Sequence, residues 1–556
     1  MDWFSIISGL LGGLAIFIFG MNMMSEGMQK SAGEKMRVIL GFLTKNPLMA
    51  VLAGTVVTAV LQSSAATTVM VIGFVSAGLM TLPQAICVVI GANIGTTITG
   101  QIIAFDIEDL VWPIIVVGFA MYFFAKKELY KNIGETIFAF GLLFLGIIDM
   151  SGVMKPLAAS PSFTNMIAKV ADTPILGALT GLVMTLIIQS SSAVVAIIQN
   201  FAKTPVTGTS VSIIGLQGAI PIIFGTNIGA TLPSLIAGLG KGKGKDAKKT
   251  ALSNLVFNVS LTLLFMFVIP LFCRFVRFIS PSGATLDDVS VISRQIANAH
   301  STFNIVGAVI WLPLVGVMIK ILDKMVRGSD DVIDESTPKY LDEKILEQPV
   351  FAMHLCVNEL TRTAEFAQSM IDHARAAVMN KTQEDIDEVD RLEDVVDKLQ
   401  DAIVRYISNI STQTSLTEQQ AVRVASLMHV ANDVEHVGDR CIDIIKVVRT
   451  MIKKEYDFSE EAHEEIDSSF DIVKEMLENA MKALESEDKK LANMVLEDED
   501  KIDDLEARLR KRHMKRLKKK KCAPNLSVVY TEILHNIERI GDHCKNIAEA
   551  VIGDEG

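Results

Sequence analysis

Two five-residue stretches, Leu61-Gln62-Ser63-Ser64-Ala65 and Ile188-Gln189-Ser190-Ser191-Ser192, stand 127 residues apart in a chain of 556 and decide how it is read. Each interrupts an apolar run. Pro47 to Leu61 precedes the first and Ala65 to Leu79 follows it, and each of these runs is only 15 residues long. Pro174 to Ile188 precedes the second, with a short apolar run to Ala202 after it. A helical membrane crossing takes about 20 apolar residues, so short runs meeting at a polar tip predict re-entrant hairpins that turn near mid-membrane. Irregular backbone is tolerated at that depth only where protein buries it or it lines a cavity.

Around the tips lie longer apolar stretches, expected to be crossings: Trp3 to Met24, Pro83 to Phe105, Asp109 to Ala125, Ile133 to Met150, Ser212 to Leu239, Ala251 to Cys273 and His300 to Ile319. The matches extend beyond the tips. Gly54 and Thr58 recur as Gly181 and Thr185 at the same offset of 127, and Gly20, Met24, Ser25 and Met28 recur as Gly146, Met150, Ser151 and Met154 at 126. Gly91-Ala92-Asn93-Ile94-Gly95-Thr96-Thr97 returns as Gly225-Thr226-Asn227-Ile228-Gly229-Ala230-Thr231 at 134. An internal duplication is the simplest reading. Charge divides the chain as well: residues 1–325 hold 20 Lys and Arg and 14 Asp and Glu, against 32 and 50 in the remaining 231 residues. A charge-poor first part of that length belongs in a bilayer, and the acidic second part in water. No basic region precedes the first apolar run, which reads as a retained span and not as a signal peptide. The six cysteines are scattered and point to neither a disulfide framework nor a zinc ribbon.

Short loops rich in Lys and Arg stay cytoplasmic. With the amino terminus outside, Lys30, Lys35, Arg37, Lys45, Lys126, Lys127, Lys131, the run Lys241 to Lys249, Lys320 and Lys324 fall inside, 14 of the 20. The first hairpin then enters from the cytoplasm and the second from the exterior, so the repeats are inverted, an arrangement common in secondary transporters.

At each tip an amide, consecutive hydroxyls and free helix-end groups converge. Such oxygens can replace water around a small hard cation, while a helix amino terminus attracts an anion. Neither the tips nor the Gly-x-Asn-Ile-Gly segments contain Lys or Arg, so a bound anion would need neutralisation by co-bound cations, and sodium coupling is the physical expectation. Glycines flanking Asn93 and Asn227 suggest a broken helix whose amides face the tips, with Thr97 and Thr231 beside them. Close helix packing by small residues is the alternative for these threonines.

Two Gln-Ser-Ser hairpins, two Gly-x-Asn-Ile-Gly-x-Thr segments and the stretch Ala297, His300, Phe303, Asn304 together resemble the bacterial members of the type II sodium-dependent phosphate cotransporter family over about Trp3 to Leu322. The resemblance implies sodium-coupled transport of inorganic phosphate, with substrate and sodium held at Gln62, Ser63, Ser64, Gln189, Ser190, Ser191 and Ser192. Ala65 stands where the second tip has Ser192, so the first tip has one hydroxyl fewer. His300 and Asn304, one helical turn apart, are expected to make structural hydrogen bonds. Asp106, Glu108 and Asp109 read as an exterior loop.

A polar linker, 326–348, leads into helical periodicity without strand alternation: Val350 to Met379, Gln383 to Ile410, Glu418 to Ile452, Ala462 to Glu485, Lys489 to Lys521 and Ser527 to Val551, two antiparallel three-helix bundles. Glu435, Gly438, Asp439 and Cys441 recur 103 residues later as Glu538, Gly541, Asp542 and Cys544. Glu and Asp at i and i+4 share a helical face, with His436, His535 and His543 nearby, and hard or borderline metal ions bind such clusters. This repeated motif resembles the PhoU family over about 349–556. The family implies phosphate regulation, phosphate-regulatory protein partners and a divalent or iron-type metal at Glu435, Asp439, Glu538 and Asp542. A solvated acidic face paired with Arg440 and Arg539 is the alternative. The basic run Arg508 to Lys521 reads as a contact with anionic lipid or a solvated helix end; without aromatic interleaving, on an acidic domain, it is not a nucleic-acid site.

The expected architecture is all-α. A polytopic membrane domain spans 1–325, with repeats at about 3–125 and 133–273, each holding a re-entrant hairpin and a broken helix, and a final span at 300–322. A cytoplasmic PhoU-like pair of bundles, about 349–452 and 460–556, follows. The expected function is a sodium–phosphate symporter of the cell membrane, open to homo-oligomerisation. Alternatives are a phosphate exporter, a carrier of another tetrahedral anion, or a membrane-tethered phosphate-signalling module. No nucleophile–base pair, Walker loop or HExxH suggests an enzyme.

Overall fold

The computed structural model describes residues 3–32, 46–76, 78–158, 160–206, 208–240, 244–326, 334–346, 348–413, 416–519 and 524–553, with backbone alone for 3, 153–158, 161–164, 168 and 413. Lys35, Arg37, Lys45, Lys241 and Lys243, on which the orientation was partly read, lie outside the described residues, as do Cys522, Lys520 and Lys521 at the end of the basic run and 327–333 and 347 of the linker. The elements among the described residues are helices. Among the described residues the only strand-like pairings are two isolated bridges, Pro205 with Ser212 and Val211 with Asp288. Two compact units divide it, Met1–Asp331 and Val332–Gly556.

The first unit contains α1 (Trp3–Ala32), α2 (Pro47–Leu61), α3 (Ser64–Ser76), α4 (Leu82–Ile103), α5 (Val111–Phe124), α6 (Glu128–Ala158), α7 (Pro161–Asp172), α8 (Pro174–Ile188), α9 (Ser191–Ala202), α10 (Gly215–Gly229), α11 (Leu232–Gly238), α12 (Lys245–Met266), α13 (Ile269–Phe278), α14 (Ile292–Trp311) and α15 (Val315–Met325). Five described stretches are long and apolar enough to cross a membrane: Phe4–Ala32, Leu82–Ile103, Glu128–Gly152, Gly215–Gly238 and Lys245–Met266.

Small residues set the packing. Gly13 of α1 lies against Gly146 of α6, Gly20 against Ala139 and Leu143, and Gly27 against Thr136, so these two helices run antiparallel. In α2 and α4, a Cβ on Gly54 would overlap the Val88 carbonyl, and one on Gly91 the Val51 carbonyl. The counterparts repeat this in α8 and α10, where Gly181 meets the Ile222 carbonyl and Gly225 that of Ala178. Without a hydrophobic driving force in lipid, such backbone approach supplies the dispersion contacts that hold helices together.

Several expectations are corrected. No break occurs at the first Gly-x-Asn segment, because α4 runs unbroken from Leu82 to Ile103; in the second repeat the helix breaks one residue after the segment, at Ala230–Thr231. The stretch Asp109 to Ala125 yields only the 14 residues of α5, since Glu108–Leu110 form a 3-10 turn. The final span, 300–322, is not one rod: α14 ends at Trp311 and α15 departs at 87°. Pro313 lies in that break, lacking the N–H that a continuing helix would need.

The second unit is a pair of three-helix bundles: α16 (Pro349–Asn380), α17 (Gln383–Gln413) and α18 (Glu418–Lys453), then α19 (Glu460–Ser486), α20 (Lys489–Lys518) and α21 (Leu526–Ile552). Each first helix ends on a left-handed residue, Lys381 (φ 55°) and Glu487 (φ 54°). A strap precedes α16. Fully buried Glu359 accepts the backbone N–H groups of Lys339 (2.8 Å) and Tyr340 (2.6 Å), while Arg362 donates to the Glu335 and Thr337 carbonyls and Tyr406 to that of Asp342.

Candidate functional site

At both tips the glutamine adopts the left-handed conformation, Gln62 at φ 53° and Gln189 at φ 59°. Its N–H closes the preceding helix onto the Thr58 or Thr185 carbonyl, at 2.7 and 2.8 Å. The next serine caps the following helix: Ser63 Oγ accepts from Ala66 N (3.1 Å) and Ser190 Oγ from Ala193 N (3.2 Å). Two residues, the glutamine and the capping serine, therefore separate a helix carboxyl end from a helix amino end, which places carbonyl oxygens, N–H groups and the hydroxyls of Ser64, Ser191 and Ser192 together.

The two tips differ in closure. Gln62 is buried, and its side chain is held by the Thr99 hydroxyl and the Ala59 carbonyl. Thr58 donates to Thr67 Oγ1 at 2.8 Å, and Ser25 caps the Leu61 carbonyl at 2.9 Å. In the second repeat Gln189 is exposed, Val194 occupies the position of Thr67, and the buried Thr185 Oγ1 has no hydrogen-bond partner among the described residues.

Asn93 and Asn227 are not turned to the tips but into two matching clusters. Asn93 donates to Asn254 Oδ1 (2.9 Å) and accepts from Asn258 (3.2 Å), both on α12. Asn227 Oδ1 meets His300 Nε2 of α14 at 2.9 Å, so His300 makes the structural bond expected of it, and Asn304 donates to the His300 carbonyl. The contact from α4 to the first tip comes instead from Thr99. Thr97 bonds Ser301 Oγ (3.0 Å) and the Ile94 carbonyl; Thr231, in the break after α10, is fully buried and bonds the Ile228 carbonyl of α10.

Asn254, Asn258 and Thr99 were missed from sequence, although a signal existed for two of them. Ala251-x-x-Asn254-x-x-Phe257-Asn258 and Ala297-x-x-His300-x-x-Phe303-Asn304 are the same pattern 46 residues apart.

In the second unit the carboxylates also converge, in a set wider than expected. Ligand atoms of Glu435, His436 and Asp439 lie within 4.8 Å of one another, as do those of Glu499, Asp503 and Asp542. Glu538 lies outside the second group; its Oε2 faces His535 Nδ1 at 3.2 Å. Burial and Asp439 push the Glu435 carboxyl upward, burial and Asp397 push up Glu393, and burial with Glu499 and Asp542 does so for Asp503. The opposing helices thus add Glu393-Asp394-x-x-Asp397 on α17 and Glu499-Asp500-x-x-Asp503 on α20, a repeat at an offset of 106 that the sequence reading passed over. These donor sets suit a hard or borderline cation. Lys545 already occupies Glu499 at 2.8 Å, so the second set is partly neutralised. His543 bonds Asp433 and packs on His436 across the two bundles. The basic run is partly internal, with Arg516 buried in a fork on Glu465 beside Tyr530.

Comparison with known proteins agrees with both halves. The family model described as Na+/Pi-cotransporter matches twice, over 16–152 and 148–282, and the PhoU domain matches twice, over 360–448 and 466–551. The chain is 31% identical over 313 residues to protein YqeW of Bacillus subtilis, covering 56% of this chain and 96% of that one. It is 24% identical over 529 residues to a Salmonella typhimurium protein named as inorganic phosphate export protein YjbB, covering 95% and 93%. A shorter match, 36% over 97 residues, is to human sodium-dependent phosphate transport protein 2B, covering 17% and 14%. With its duplicated tips, its matched asparagine clusters and its paired bundles, the chain belongs to the Na+/Pi-cotransporter family and carries PhoU domains in its second unit.

Proposed function

We propose that the chain carries inorganic phosphate across the cell membrane with sodium, by alternating access between two inverted repeats. Residues 1–325 form the carrier, and 349–556 form a regulatory domain in the cytoplasm. The observation that carries this reading is the twin left-handed glutamine, which at both tips sets serine hydroxyls between a helix carboxyl end and a helix amino end. Gln62, Ser63, Ser64, Gln189, Ser190, Ser191 and Ser192 hold phosphate and sodium there. Asn93, Asn227, Thr97 and Thr231 act one layer back, fixing the helices that face the tips. The antiparallel packing of α1 on α6, helices related by the duplication, favours inversion of the repeats.

Glu435, His436 and Asp439 hold a divalent or iron-type metal, as do Glu499, Asp503 and Asp542. Phosphate-regulatory proteins that read the bundles fit this reading. The name of the Salmonella relative, which is similar over 95% of this chain, favours a second reading in which net movement is outward. Radiolabelled phosphate flux into proteoliposomes tests both. Accumulation driven by an inward sodium gradient supports the symporter; sodium-independent efflux supports the exporter; no phosphate flux under any gradient overturns phosphate as the cargo.

A further inference from the structure

The tips and the Gly-x-Asn-Ile-Gly segments hold no cation of their own, yet one arginine of the first unit is bonded to α4, the helix that touches the first tip through Thr99. Arg294 lies in the first turn of α14, half-buried. Its guanidinium donates to the Gln101 backbone carbonyl (3.1 Å) and to Gln101 Oε1 (2.8 Å), and lies over the Phe105 ring at 4.5 Å. No carboxylate among the described residues is within ion-pair distance of it. An unneutralised cation within a largely apolar unit is costly and marks an ion path.

From Arg294 a polar ladder descends between α14 and α4. Gln101 donates to Asn298 Oδ1 (3.0 Å) and Ser301 Oγ (2.9 Å), and Ser301 donates to Thr97 Oγ1 (3.0 Å). Arg294, Asn298 and Ser301 follow at i, i+4 and i+7 on one helical face, while Asn93, Thr97 and Gln101 follow at i, i+4 and i+8 on α4. All three rungs on α14 are half-buried, whereas their neighbours Gln295, Ile296, Ala297, Ala299 and His300 are buried. The second hairpin is tied in at the same level: Gln199 of α9 donates to the Gly100 and Ser293 carbonyls, both at 3.0 Å.

We propose that Arg294 captures the substrate oxyanion at the head of this ladder, before it reaches the tips. The proposal rests on the phosphate-transport reading above. Its planar fork can engage two oxygens of a tetrahedral anion, and its present partner is a neutral amide that an anion can displace without separating an ion pair.

The test uses the full-length protein in proteoliposomes. Arg294→Gln should raise the phosphate KM at least tenfold while leaving the sodium KM within about twofold, and Arg294→Lys should fall between it and the wild type. A second measurement needs no variant: phosphate should slow phenylglyoxal modification of Arg294 in the wild-type protein, read by peptide mass spectrometry. Wild-type flux with an unchanged phosphate KM in Arg294→Gln, or modification of Arg294 indifferent to phosphate, overturns the role of Arg294 and leaves the transport reading standing. Equal rises in the phosphate and sodium KM values also overturn it, since they indicate a structural role. Absence of wild-type phosphate flux overturns the transport reading itself.

Discussion

Ser190 carries two duties that substitution can separate. As a cap it satisfies Ala193 N, so Ser190→Ala should cost about 1 kcal/mol of stability, small enough for the protein to fold, yet phosphate flux in proteoliposomes should be abolished; wild-type flux would remove the serine from the site. Asn254 is expected to behave in the opposite way. Asn254→Leu takes one acceptor from Asn93 and one from Asn258, although each keeps another, and the loss of two buried hydrogen bonds costs about 1 kcal/mol apiece. A lowered melting temperature in detergent, with phosphate KM preserved in the surviving protein, is the expected result. At this scale the sequence was a partial guide. It named the tip residues because their spacing recurs, but it put the asparagines at the tips, since nothing local reveals that Asn93 and Asn227 have dedicated partners on α12 and α14. Those partners come from segments more than 70 residues away, and only the repeated Ala-x-x-[Asn/His]-x-x-Phe-Asn pattern could have shown them.

Among elements, the backbone contact between each hairpin and its facing helix is the most exacting feature. At Gly225 a methyl group would overlap the Ala178 carbonyl, and overpacking of this kind costs about 1–3 kcal/mol or more. Gly12 has nothing within 4 Å of its Cβ position, so Gly12→Ala should be neutral or stabilising by up to about 1 kcal/mol. Thermal melts of the two variants side by side check this, and equal melting temperatures would contradict the packing. Helix existence and order were readable from apolar run lengths, and the hairpins from their shortness. Breaks were less readable: a glycine pair inside an apolar run looks the same whether it frees the backbone or lets another helix approach, and in α4 the second use holds.

At the scale of the whole molecule, the acidic clusters link the helical unit to pH and to cations. Within them Glu393, Asp397, Glu435 and Asp503 are pushed above the ordinary carboxylate range by burial and like-charged neighbours, so the folded unit binds more protons at these groups than the unfolded chain through that window. Stability from these groups is therefore full at low pH and is lost as pH rises through the raised values, leaving mutual repulsion at neutrality that a divalent cation would offset. Hydrogen-exchange protection of α17 and α20 in the full-length protein should rise on adding manganese at pH 7.5, and the gain should shrink as the pH falls through the carboxylate range. Asp439→Asn should remove the gain in the first bundle and leave it in the second. A cation effect equal in the variant and the wild type would place the ion elsewhere.

Glu359 and Glu465 occupy equivalent positions 106 residues apart, one tied to the strap and the other to Arg516 and Tyr530 of its own bundle. Glu359→Ala should therefore expose Lys339 and Lys344 to trypsin while the helices stay resistant. The same difference has a mechanical meaning. Tension carried along the chain from the first unit meets Glu359 before it meets the start of α16, so the load falls on a buried carboxylate inside the first bundle. The second bundle, its own carboxylate tied internally, carries none of that load, and two halves alike in sequence pattern are thereby made unlike in what they bear.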